Sequence, residues 1–132
     1  MIKKILLICI LCIVVIPAVL LKLYAYYSAN KYIPEKPPTI TADSLKSLSI
    51  SLIQSQEDFN GTLVIETQIP DHNKAEITFL NNYSGGDSVG ATEYKMIAEK
   101  KNQLWTITNS KTHWKCFRDL FFNSFWTTSA CP

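Results

Sequence analysis

The run from Ile5 to Leu21 contains no charged or strongly polar side chain. A stretch this apolar must be buried in something, and that need constrains the chain more than any other feature. At ~1.5 Å per residue an α-helix of this length reaches roughly 25 Å, just short of the ~30 Å core of a bilayer. Lys22 can snorkel, and Leu23, Tyr24, Ala25, Tyr26 and Tyr27 extend the span into an aromatic interface. The expectation is a transmembrane anchor over residues 1–29, touching lipid through residues 5–27. Lys3 and Lys4 would face the cytoplasm and everything after Lys31 the outside. A cleaved signal peptide fits less well, because Leu23-Tyr24-Ala25 and Tyr27-Ser28-Ala29 put a bulky residue at −3. Pro17 predicts a kink, which a helix in lipid tolerates.

The other 111 residues after Leu21 leave room for one small domain. Net charge is +2, from 13 basic and 11 acidic residues. Lys3, Lys4 and Lys22 supply the basic excess, and residues 31–132 carry about −1 (10 basic against 11 acidic). No basic stripe exists for a nucleic-acid partner.

Cys9 and Cys12 lie in the apolar run, where they act as small hydrophobes. Cys116 and Cys131 lie in the outer domain and are expected to pair if the compartment is oxidising. Closing that loop contributes ~3 kcal/mol in the chain-entropy model. Zinc is not expected: the only histidines are His72 and His113, and no C-x-x-C pair lies in the outer domain.

Residues 30–41 hold Pro34, Pro37 and Pro38 and read as an extended, stiff linker. The domain then occupies residues 42–132. Leu45, Leu48, Leu52 and Ile53 share one face of a helix expected over roughly Asp43–Gln56, capped by Thr41 or Asp43. After Gly61 the apolar period falls to two. Strands are expected around Leu63–Ile69, Ala75–Phe79, Tyr94–Ala98, Leu104–Thr108 and His113–Phe117. Turns are expected at 70–73 and 100–102, a Gly- and Asn-rich loop at 81–91, and a hairpin turn at Asn109-Ser110-Lys111. The fold class is α+β: the N-terminal transmembrane helix, then a short amphipathic helix on an antiparallel meander of about four to five strands.

No set of residues predicts catalysis. His72 falls in a turn and His113 on a strand edge, both reading as surface histidines without a nucleophile beside them. No cofactor is implied, because Gly85-Gly86-Asp87-Ser88 lacks the spacing and lysine of a phosphate loop. The C-terminal tail is richer. Phe117, Leu120, Phe121, Phe122, Phe125 and Trp126 crowd into ten residues. They either fold over the sheet as core or form a patch that meets a partner protein, with Phe121, Phe122, Phe125 and Trp126 the candidate contacts.

The strand ending Trp114-Lys115-Cys116, followed by a loop closing with Thr127-Thr128-Ser129-Ala130-Cys131-Pro132, resembles the C-terminal end of type IV pilins. The resemblance implies a disulfide loop clipped to the sheet through Cys116 and Cys131. It also implies the order hydrophobic helix, amphipathic helix, antiparallel sheet, disulfide loop. Pilins carry a basic leader ending in Gly and a Glu five residues into the mature helix. Here Lys4 runs directly into Ile5, and no Glu precedes Glu35. The implied function is therefore a non-enzymatic, pilin-like minor or accessory component of a type IV pilus or related secretion system. It would sit in the bacterial inner membrane, crossing once, with a periplasmic domain and other pilin or secretion proteins as partners. The alternative is an anchored inhibitor or immunity protein that binds a toxin or hydrolase.

Overall fold

The computed structural model describes residues 2–55, 61–83, 88–117 and 125–131, with backbone alone at 2–12 and 83. A long helix, α1 (Ile2–Ala29), leads into two short strands, β1 (Ile33–Glu35) and β2 (Thr41–Ala42). A second helix follows, α2 (Leu45–Gln54). Four long strands complete the order: β3 (Gly61–Asp71), β4 (Lys74–Tyr83), β5 (Val89–Lys101) and β6 (Leu104–Cys116). All pairings are antiparallel, in the order β1-β6-β5-β4-β3, with β2 also on β6.

Among the described residues, no helix is long and apolar enough to cross a membrane. The expected transmembrane helix over 1–29 is corrected, and with it the lipid contact through residues 5–27, the single-pass inner-membrane placement and the periplasmic domain. The physical reason lies in the second half of α1. Its seventeen residues from Ile13 to Ala29 include Lys22, three tyrosines and Ser28. The last turn is also turned inward: Ser28 is buried, and its Oγ donates to Ala25 O at 3.0 Å. The Tyr24 ring meets Phe125 of the C-terminal tail edge-on at 5.7 Å. Asn30 closes the helix, its Nδ2 donating to Tyr26 O.

The sheet is also larger than a four- or five-strand meander. Residues 104–116 form one continuous strand, with no turn at Asn109-Ser110-Lys111. The breaker residues lose because β5 offers a thirteen-residue template with which twelve residues of β6 pair, the ladder shifting at Gly90 of β5 and at Thr108 of β6, while β1 and β2 pair along the other side of β6. The expected loop at 81–91 is shorter for the same reason, since β4 runs to Tyr83 and β5 starts at Val89. The Pro-rich segment supplies β1 and β2, which pair with β6 at Ile33↔Thr112 and Thr41↔Thr106. Pro34 is tolerated because β1 is an edge strand. The β5–β6 turn is Asn102-Gln103, both at positive φ, 51° and 68°. That is the two-residue geometry whose twist matches the flanking strands.

One face of the sheet carries the core. Ala75, Ile77, Phe79, Met96, Ala98, Trp105 and Ile107 are buried there, under Leu48 and Leu52 of α2. Leu45 packs at the margin, while Ile53 stays exposed. The helix cap is Ser44, not Thr41 or Asp43: its Oγ accepts from Ser47 N at 3.1 Å.

Candidate functional site

The opposite face of the sheet holds the most organised polar cluster. On β6, Lys111, His113 and Lys115 alternate with Thr112 and Trp114, so all three point from one face. Side chains two apart on a strand stand about 6.8 Å from each other. That gap accepts one planar ring with van der Waals contact on both sides. Tyr32 fills the first gap and Trp126 the second. Tyr32 stacks on His113 with ring centroids 3.9 Å apart, and Trp126 stacks on its other face at 4.2 Å. Lysines close both ends of the pile. Lys95 and Lys111 each lie 4.9 Å from the Tyr32 centroid, and Lys115 lies 4.7 Å from that of Trp126. Each such contact contributes ~0.5–1 kcal/mol where partly exposed.

His113 is the hub. It is 1 % exposed, a correction to the expected surface histidine; His72 does lie exposed in its turn. Nδ1 of His113 lies 3.1 Å from Lys31 O, and Nε2 lies 3.2 Å from Glu93 Oε1. Both oxygens accept, so the arrangement is complete when both ring nitrogens donate. Glu93 stands directly opposite His113 on β5. The same Oε1 accepts from Tyr32 Oη at 2.5 Å, and Lys95 Nζ is 4.0 Å away.

The electrostatics follow from these contacts. The hydrogen bond from His113 is the largest effect on Glu93 and holds its carboxyl below the usual range. Burial opposes this, while the Tyr32 hydrogen bond and the charges of His113 and Lys95 add to it. Tyr32 is shifted the other way. Burial first, then its hydrogen bond to Glu93 and that carboxylate's charge, push the phenol far above its ordinary value.

The chemistry available here is cohesive rather than reactive. Both nitrogens of His113 are engaged, both ring faces are covered, and among the described residues no hydroxyl or thiol nucleophile is hydrogen-bonded to it. What the cluster does is fasten. Tyr32 belongs to the segment leaving α1, and Trp126 to the C-terminal tail, so one histidine holds both ends of the chain on the sheet.

The tail is secured a second time. Cys116 and Cys131 are joined, with Cα atoms 5.3 Å apart. Trp114 and Thr127 exchange backbone hydrogen bonds at 3.0 and 2.7 Å. Trp114 Nε1 donates to Ser129 O at 2.9 Å. Of the four aromatics expected as contacts, Phe125 and Trp126 pack half-buried within the molecule. Phe121 and Phe122 lie outside the described residues. Among the described residues no group of His, Cys, Asp and Glu is placed to hold a metal ion.

Sequence reasoning missed Tyr32 and Glu93 altogether. The available signal was the alternation Lys111-x-His113-x-Lys115, which marks one strand face. It says nothing about which rings fill the gaps, because those arrive from 81 residues upstream of His113 and 13 downstream. No protein-family model, no curated protein and no solved structure matches the chain.

Proposed function

We propose that this protein is a non-enzymatic, pilin-like component of a type IV pilus or related secretion machine, acting by protein–protein contact in a minor or accessory role. The observation that carries the reading is the apolar surface of α1. Ile13, Val14, Val15, Ile16, Val19, Leu20, Leu21 and Leu23 are all exposed, Ile13 at 71 %. An uncovered apolar surface of this extent on a folded chain calls for a covering partner. Its C-terminal half meets the disulfide-clipped tail through the Tyr24–Phe125 contact, and the segment that follows it is held on the sheet by the Tyr32–His113–Trp126 stack. An apolar helix surface next to a disulfide-clipped domain suits packing against like helices. The W-x-C strand and C-terminal Cys of the pilin resemblance agree with this.

The test is fractionation of native cells with blots of sheared surface filaments and of cell-bound protein. Recovery in the sheared fraction, lost when Val15 and Val19 are both changed to Asp, supports the reading. Absence from the filaments, together with undiminished pilus assembly and secretion in a deletion strain, refutes it.

A further inference from the structure

Beside the Tyr32 stack, the same sheet face opens into a shallow groove of about 380 Å³ that crosses β3, β4, β5 and β6. Its charged residues are segregated. Glu66 of β3 and Glu76 of β4 line one side, and Lys95 of β5 and Lys111 of β6 line the other. Thr78 and Ile97 separate them. In register, Glu66, Thr78, Lys95 and Lys111 form one row across the four strands. Strands lie ~4.8 Å apart, so Glu66 and Lys95 start roughly 10 Å from each other. No ion pair joins either glutamate to either lysine among the described residues.

This arrangement opposes the stability of the isolated chain. Lys95 and Lys111 stand directly opposite each other, a cross-strand like-charge pair that destabilises a sheet. They also share one side of the Tyr32 ring, since His113 occupies the other. Glu93 lies near Lys95 at 4.0 Å, and Lys111 has no carboxylate partner among the described residues. Exchanging one lysine with one glutamate would pair every charge within the groove. The fold instead keeps an acidic half and a basic half, both facing solvent.

From this segregation we infer that the groove is a homodimer contact, in which the occupant is a second copy of this chain set face to face. A two-fold axis parallel to the strands, midway between β4 and β5, maps β3 onto β6 and β4 onto β5. Glu66 of each copy then lies over Lys111 of the other, and Glu76 lies beside Lys95. The surface is complementary to itself, which an isologous contact requires. Charges arranged in this way fix register and orientation. The inference deepens the protein–protein reading above by naming the partner at this face, and it uses no residue of α1.

The test is zero-length carbodiimide crosslinking of the full chain. Unlabelled and ¹⁵N-labelled protein are mixed in equal amounts and the peptides read by mass spectrometry. Glu66 and Lys95 start ~10 Å apart in one copy, within reach of their extended side chains, so the isotope label is what separates links between copies from links within one. Isotopically mixed Glu66–Lys111 peptides are the expected result, with yields falling steeply as salt is raised. Glu66→Lys alone and Lys111→Glu alone should each weaken dimerisation about tenfold or more, and the double variant should restore it. Glu66 lies on the exposed edge strand, away from the stack, so its substitution leaves the fold intact by circular dichroism. Association without these mixed peptides, or a double variant no better than the single ones, overturns the sheet-face dimer. The α1 reading is judged separately, by the Val15 and Val19 variants in filaments.

Discussion

Replacing His113 by Ala separates two views of this residue by a wide margin. A surface histidine changes stability by less than about 0.5 kcal/mol when truncated. The structure assigns His113 four interactions, each with a typical size. Two ring stacks, on Tyr32 and Trp126, contribute ~0.5–1.5 kcal/mol each. The hydrogen bond to the Glu93 carboxylate contributes ~1.5–3 kcal/mol, and that to Lys31 O ~0.5–1.5 kcal/mol. Full addition overstates the loss, since Glu93 keeps Tyr32 and some solvent access. A destabilisation of about 3–4 kcal/mol is expected. For a domain of this size that lowers Tm by roughly 12–25 °C. The assay is urea unfolding of the wild type, His113→Ala, His113→Phe and the control His72→Ala. His113→Phe keeps both stacks and loses both hydrogen bonds, so it should fall between wild type and His113→Ala. A His113→Ala variant within 0.5 kcal/mol of wild type, or indistinguishable from His72→Ala, would refute the hub.

Acid should loosen the same cluster: Glu93 is held below its unfolded value, so its contribution is complete above about pH 4.3 and is lost as pH falls through the depressed value. Unfolding midpoints at pH 7 and pH 3 should show a smaller acid loss for Glu93→Gln than for wild type. Tyr32 has the opposite sign. Its phenol is raised, so stability is complete below about pH 10 and declines above it as the unfolded chain ionises first; Tyr32→Phe should remove that alkaline decline between pH 9 and pH 11. Reducing the Cys116–Cys131 bond, which spans 15 positions, should cost about 3 kcal/mol and free the Trp126 ring, seen as a change in tryptophan fluorescence. Leu48→Ala removes a fully buried side chain beneath α2 and should cost about 2–5 kcal/mol in the same urea assay, without touching the stack.

What could be read directly from the residues was whatever depends on neighbours in sequence. The apolar period of α2 marked Leu48 and Leu52, and the period-two pattern after Gly61 located the strands. Pairing of Cys116 with Cys131 was also legible, because a small domain with two cysteines leaves few choices. Tertiary structure decided the rest. The thirteen-residue β6 forms because β5 supplies a matching ladder, which overrides the turn chemistry of Asn109-Ser110-Lys111. The prolines at 34, 37 and 38 suggested a spacer, yet Ile33–Glu35 closes the edge of β6. His113 is buried only because Tyr32 and Trp126, 94 positions apart, meet on either side of it. Such a contact depends on chain ends that a local pattern does not describe. The apolar run from Ile5 to Leu21 set the need for burial, a property of composition alone. What the helix meets beyond that run was decided by the Tyr24–Phe125 contact, because a pairing so distant in sequence is a property of packing.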